Sequence, residues 1–144
     1  MKINISINQE DNLDIKLGNA KNIHQGFKVA ILGFGTLLNQ ITDYCTQNNF
    51  TLYDMRFIKP IDEELLVKLF NSHDYIITIE ENAVIGGAGS VVSQLANKYN
   101  YLGRLLNLGL PDKFIEQGDQ ISLLKECRLD RDHLIQTINQ LIQE

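Results

Sequence analysis

Four short apolar runs, KVAIL (28–32), TLYDM (51–55), YIITI (75–79) and RLLNLG (104–109), recur along the chain with segments of helical periodicity between them. No other feature restricts the fold as much. Runs of this length, bounded by glycine or polar residues, fit strands buried on both faces, as in a parallel sheet. Leu37, Leu38, Ile41, Tyr44 and Cys45 repeat at helical spacing after the first run. PIDEELLVKLFNS follows the second, with Asp62 as N-cap and Leu65, Leu66, Leu69 and Phe70 on its inner face. Val91, Val92, Leu95, Ala96 and Tyr99 mark a helix that begins inside a glycine cluster. Two closing helices are expected, one near 120–127 and one from Asp130 with Leu134, Ile135, Ile138, Leu141 and Ile142 on one side. Strand and helix in alternation predict an α/β three-layer sandwich. Its mainly parallel sheet has about five strands, with helices on both faces because right-handed crossovers place them there. LDIKL (13–17) can add an edge strand. Residues 1–12 are polar and without period, and are read as an arm or linker remnant that leaves 13–144 as one domain.

A chain of 144 residues is long enough to bury about 70% of its unfolded surface in a single core. Its formal net charge of -5 argues against nucleic acid as a partner, which calls for a basic stripe. No apolar run approaches the roughly 20 residues of a membrane span, and the N-terminus lacks a signal-peptide core. A cytoplasmic protein is expected. Cys45 and Cys127 lie far apart and outside any C-x-x-C pair, so both are read as reduced, buried thiols.

In such a sheet ligands bind beyond the carboxyl ends of the strands. There, ILGFGTLL places Gly33 and Gly35 after a strand, with Asp54 ending the next strand, as in a dinucleotide fingerprint. The third glycine is missing, since Leu38 stands at its position. A plain strand-to-helix turn is the favoured reading, and no phosphate-binding P-loop motif occurs. Ser72, His73 and Asp74 are neighbours and cannot line up as a triad. His24, His73 and His133 are scattered, without metal-ligand spacing.

EENAVIGGAGS (80–90) sets two carboxylates before a glycine cluster. Glu80 and Glu81 point to opposite faces if the strand continues through them. The expected arrangement has Gly86, Gly87 and Gly89 forming a tight turn packed against another domain or subunit, with Ser90 in the first helical turn. Glu80, Glu81 and Asn82 would hold that turn through its free amides. An anion at the same helix start is the rival reading, favoured by the dipole and opposed by the carboxylates. Arg56 and Lys59, before a helix-initiating Pro60, are read as ion-paired with the acidic turn.

DMRFIKPIDEELL, EENAVIGGAGS and LLNLGLPDKFIEQG, in this order and spacing, resemble the C-terminal domain of the 1-deoxy-D-xylulose-5-phosphate synthases of the transketolase superfamily, from about Gly26 to the chain end. The resemblance implies a thiamine diphosphate- and magnesium-dependent transferase that condenses pyruvate with glyceraldehyde 3-phosphate in isoprenoid precursor synthesis. It also implies that cofactor and substrate sit in two other domains. The nearest string to the cofactor signature is Gly118-Asp119-Gln120, which lacks its second glycine. No catalytic, cofactor or metal residue is therefore carried over. The resemblance assigns this domain homodimer contacts and support of the active-site domains. Two alternatives stand beside it: a docking module like that of 2-oxo acid dehydrogenase β subunits, and a free-standing nucleotide or anion sensor.

Overall fold

The structure is a computed structural model that describes residues 15–113 and 118–143. Its centre is β2 (Lys28–Phe34), where alternation of side chains separates two cores. Val29 and Ile31 enter one apolar cluster; Ala30, Leu32 and Phe34 enter the other. A strand buried on both faces needs a layer on each side.

The sheet has five strands in the order β1-β3-β2-β4-β5. β3 (Thr51–Asp54), β4 (His73–Ala83) and β5 (Arg104–Leu110) run parallel with β2. β1 (Lys21–His24) is antiparallel to β3. One face carries the turn of 3-10 helix at Leu37–Gln40, α1 (Thr42–Gln47) and α5 (Arg131–Gln143), through Leu37, Leu38, Ile41, Cys45, Leu134 and Ile138. The other carries α2 (Glu63–Ser72) and α3 (Ala88–Lys98), through Leu66, Leu69, Phe70, Val92 and Ala96. Each fully buried Leu or Ile contributes about 1.5–3 kcal/mol over its exposed state. α4 (Gln120–Glu126) precedes α5 and packs Leu124 on the first cluster.

Several expectations need correction. The antiparallel edge strand is Lys21–His24. Leu13 and Asp14 of LDIKL, like the arm 1–12, lie outside the described residues, and Ile15, Lys16 and Leu17 are not strand. The helix after β2 is two short pieces, because Ile41 (φ -123°, ψ 7°) leaves helical geometry between them. Its inner face survives the break, with Leu37, Leu38, Ile41 and Cys45 all buried. α2 starts at Glu63, not at Pro60. Its cap is the expected one: Asp62 Oδ1 accepts from Leu65 N at 3.1 Å, and Oδ2 accepts from Ala20 N at 2.9 Å, tying down the segment before β1. Cys45 is buried and Cys127 only half-buried; both thiols are free.

Candidate functional site

The chain leaves β2 toward β3 on one side and returns to β4 on the other, so the carboxyl ends of β2 and β4 flank the switch point of the sheet. β4 runs on through the acidic pair, and alternation sends Glu80 and Glu81 to different turns.

Glu80 is fully buried. Its Oε2 accepts from Ala88 N at 2.8 Å and its Oε1 from Gly89 N at 2.9 Å. These are two of the amides that the start of α3 leaves without helical partners. A carboxylate also suits the positive end of the helix dipole. The space for it comes from glycine: a Cβ on Gly87 would lie 2.3 Å from both Glu80 Oε2 and Ala83 O. On Gly89 it would lie 2.5 Å from Thr78 Oγ1 and 2.8 Å from Asn107 Cγ. Gly86 meets nothing within 4 Å, and what it supplies is its φ of +76°. The close approach expected at Gly87 and Gly89 is therefore made inside the domain, against the Glu80 carboxylate and the Thr78–Asn107 pair. Ser90 sits in the first turn of α3, and its hydroxyl donates to Gly87 O at 2.5 Å.

Glu81 serves the turn after β2, not the glycine turn. Its Oε1 accepts from Thr36 N at 3.0 Å and from the Thr36 hydroxyl. Gly33 faces Leu38, whose Cδ2 would lie 2.4 Å from an added Cβ. At this turn the space beside Gly33 is filled by Leu38, and the Thr36 amide already serves a carboxylate. Asp54 is likewise engaged: its Oδ1 accepts from Arg56 N at 3.1 Å, and its Oδ2 lies 3.8 Å from Arg56 Nε. Arg56 thus pairs with Asp54, two residues back, and not with the acidic turn. No ion pair joins Lys59 to a described carboxylate. Phe34, Gly35, Arg56, Ile58, Glu81 and Asn82 line an open cleft of about 230 Å³. Arg56, Glu81 and Asn82 of the expected site meet there, while Glu80, Gly87, Gly89 and Ser90 lie at the start of α3.

Beside Glu80 lies a polar chain that sequence reasoning missed. The Thr78 hydroxyl donates to Asn107 Oδ1 at 2.7 Å, Asn107 Nδ2 donates to Ser93 Oγ at 2.7 Å, and the Ser93 hydroxyl donates to Gly89 O at 3.1 Å. A signal was present. Thr78 interrupts an apolar buried run and Asn107 an apolar half-buried one, and they are direct neighbours in the β4–β5 register.

The histidines share no site. His24 meets Asn49, His133 meets Asp130, and buried His73 has Thr51 Oγ1 at 2.8 Å and Ser72 Oγ at 2.9 Å. Burial pushes the His73 pKa below its usual value. Around it, at the amino ends of the strands, opens a larger hollow of about 760 Å³. Its central polar groups are matched to one another, the Tyr101 hydroxyl donating to His73 O at 3.0 Å. The architecture points to the carboxyl ends instead. Asp119 of the Gly118-Asp119-Gln120 string caps α4, accepting from Ser122 N at 3.0 Å and from the Ser122 hydroxyl at 2.6 Å. Among the described residues no three His, Cys, Asp or Glu side chains gather as a metal cage.

Comparison with known proteins agrees with this geometry. Residues 18–134 match the family described as transketolase, C-terminal domain. The 1-deoxy-D-xylulose-5-phosphate synthase of Baumannia cicadellinicola is 48% identical over 126 residues, 88% of this chain and 20% of that protein. The synthase of Vibrio vulnificus is 48% identical over 124 residues, 86% and 20% of the two chains. That of Histophilus somni (strain 2336) is 40% identical over 140 residues, 97% and 23%. The chain thus spans about a fifth of the length of these relatives. Among solved structures, a split-gene transketolase described as an inactive β4 tetramer superposes with a TM-score of 0.78 at 26% identity, over 91% of this chain and 44% of that one. With the family matched across most of its length and the expected five-stranded sandwich in place, this chain belongs to the transketolase C-terminal domain family.

Proposed function

We propose that this chain acts as the C-terminal domain of a 1-deoxy-D-xylulose-5-phosphate synthase, a cytoplasmic homodimeric transferase. Its own work is to brace the active-site domains and contribute dimer contacts. The observation that carries this reading is the internal closure of the strand-end site. Glu80 is consumed by the α3 amides, Glu81 by the Thr36 turn, and Asp54 by Arg56. These are the groups that would otherwise act as acid, base or ligand. A site so occupied supports a rigid platform over a reacting centre, with Arg56, Ile58, Glu81 and Asn82 at its surface. The same occupancy disfavours an external anion at α3, because Glu80 already takes the position an anion would use.

Thiamine diphosphate with Mg2+ belongs, in this reading, to the complete enzyme. The described residues do not fit that group: Asp119 is spent on a helix cap, and no carboxylate cluster stands near it. The test supplies the 144-residue chain with pyruvate, glyceraldehyde 3-phosphate, thiamine diphosphate and Mg2+, first alone and then with a relative's synthase truncated to its first two domains. No product alone, and product with the two-domain partner, is the expected result. Turnover by the chain alone, or failure to complement and to bind the partner, sinks the proposal.

A further inference from the structure

A buried histidine at the amino ends of the strands ties the connection between β1 and β2 to the end of α2. His73 is 7% exposed, and Thr51 beside it 0%. His73 Nε2 lies 2.8 Å from Thr51 Oγ1, and Nδ1 lies 2.9 Å from Ser72 Oγ. The surrounding bonds fix which nitrogen carries the proton. The Ser72 hydroxyl donates to Lys68 O at 2.8 Å, which leaves Ser72 Oγ only lone pairs to offer the ring. Nδ1 is therefore the protonated nitrogen. The bare Nε2 then requires a donor, and Thr51 supplies its hydroxyl proton while its oxygen accepts from Gly26 N at 3.1 Å. Each donor in this chain of bonds meets one acceptor.

We infer that His73 is an acid-released latch on this connection: the neutral ring, protonated on Nδ1, holds Thr51 for the Gly26 amide, and a proton on Nε2 breaks the chain of bonds. With Nε2–H facing it, the Thr51 oxygen has to accept from both the ring and Gly26, and its own proton is left buried without an acceptor. The new charge is buried as well. His73 O stays held by the Tyr101 hydroxyl at 3.0 Å, so the release falls on the Thr51 side. There Gly26 sits so close to the turn before β3 that an added Cβ would lie 2.0 Å from Asn49 O, while Gln25 and Phe27 on either side are exposed. Other ionisable groups stand around the ring. Asp74, next in β4, opposes the release by favouring the charged ring. Lys28, the register partner of His73 on β2, holds its ammonium over the Tyr75 ring at 5.9 Å, and Lys68 of α2 pairs with Glu64 at 2.8 Å. Arg104 lines the same hollow from the start of β5. His24 of β1 meets Asn49 Oδ1 at 3.1 Å, beside the same connection, and so calls for its own control. The latch is independent of the function proposed above.

The test follows imidazole nitrogen NMR and amide hydrogen exchange of the full chain from about pH 8 to about pH 5, where histidine charges. At the upper end the His73 ring should show the Nδ1–H tautomer. As that ring titrates, protection of the Gly26 amide, corrected for the intrinsic exchange rate, should fall about tenfold or more, while Ile31 and Ile77 in the central strands keep theirs. His24→Gln should retain the loss, and His73→Gln should abolish it by making Gly26 protection independent of pH. Should His73→Gln fail to fold, the wild-type chain and His24→Gln decide the matter alone. An Nε2–H tautomer at neutral pH overturns the inference, as does Gly26 protection that stays constant through the His73 titration. So does a loss shared equally by Ile31 and Ile77, or one that disappears in His24→Gln.

Discussion

Glu80→Gln is the sharpest perturbation of this domain, since it changes one atom and the charge in a fully buried carboxylate. In the native site both oxygens accept, from Ala88 N at 2.8 Å and Gly89 N at 2.9 Å. Glutamine keeps one acceptor and points an NH2 at the other amide, so a charge-assisted bond becomes a donor facing a donor. Losing a bond to a charged group costs about 1.5–3 kcal/mol. Losing the negative charge at a helix start adds about 0.3–2 kcal/mol. Against this, the amide is easier to bury than the carboxylate, which recovers part of the cost. A net destabilisation of about 2–4 kcal/mol is expected, a fall in Tm of about 6–12 °C for a chain of this size. Urea unfolding measures it directly, and hydrogen exchange at Ala88 and Gly89 shows whether the loss sits at the start of α3. Glu80→Ala should cost at least as much, because it leaves both buried amides unpaired. A Glu80→Gln midpoint within about 0.5 kcal/mol of wild type, with an unchanged m-value, would refute the reasoning.

Further outcomes follow from the same geometry. Gly33→Ala should destabilise by about 1–3 kcal/mol through overpacking against Leu38, and Leu38→Ala in the same chain should recover part of that loss; additive costs would show that the two do not touch. Burial depresses the His73 pKa from 6.5, so its contribution to stability is fully present above that value and is lost as pH falls from 6.5 through the lower native pKa. Urea midpoints measured across that window should flatten in His73→Gln, and an unchanged slope would show that other groups carry the dependence. The Cys45 thiol is pushed up to about 12 by burial, so a maleimide should label Cys127 in the native chain and Cys45 only on unfolding; equal rates in mass spectrometry would contradict the packing of α1.

The layer order was legible in the sequence because burial on two faces leaves little choice of composition. KVAIL and YIITI can only be interior strands, and the i, i+3, i+4 rows of α2, α3 and α5 have one apolar side each. Asp62 was legible as a cap for an equally local reason, since its partner Leu65 is three residues away. The resemblance in EENAVIGGAGS and LLNLGLPDKFIEQG identified the family without any of this geometry. β1 was not legible: as an edge strand it has few apolar contacts, so KNIH carries almost no pattern. The break at Ile41 escaped for the opposite reason, because a 3-10 turn and an α-helix present the same apolar face over so few residues. Tertiary structure alone decided which partners the acidic pair meets. Sequence places Glu80 and Glu81 side by side, and only the pleat sends one beneath α3 and the other to Thr36, while Arg56 turns to Asp54. Likewise Thr78 and Asn107 are 29 residues apart, and nothing local pairs them. Their contact comes from the β4–β5 register, which the packing of the whole sheet sets.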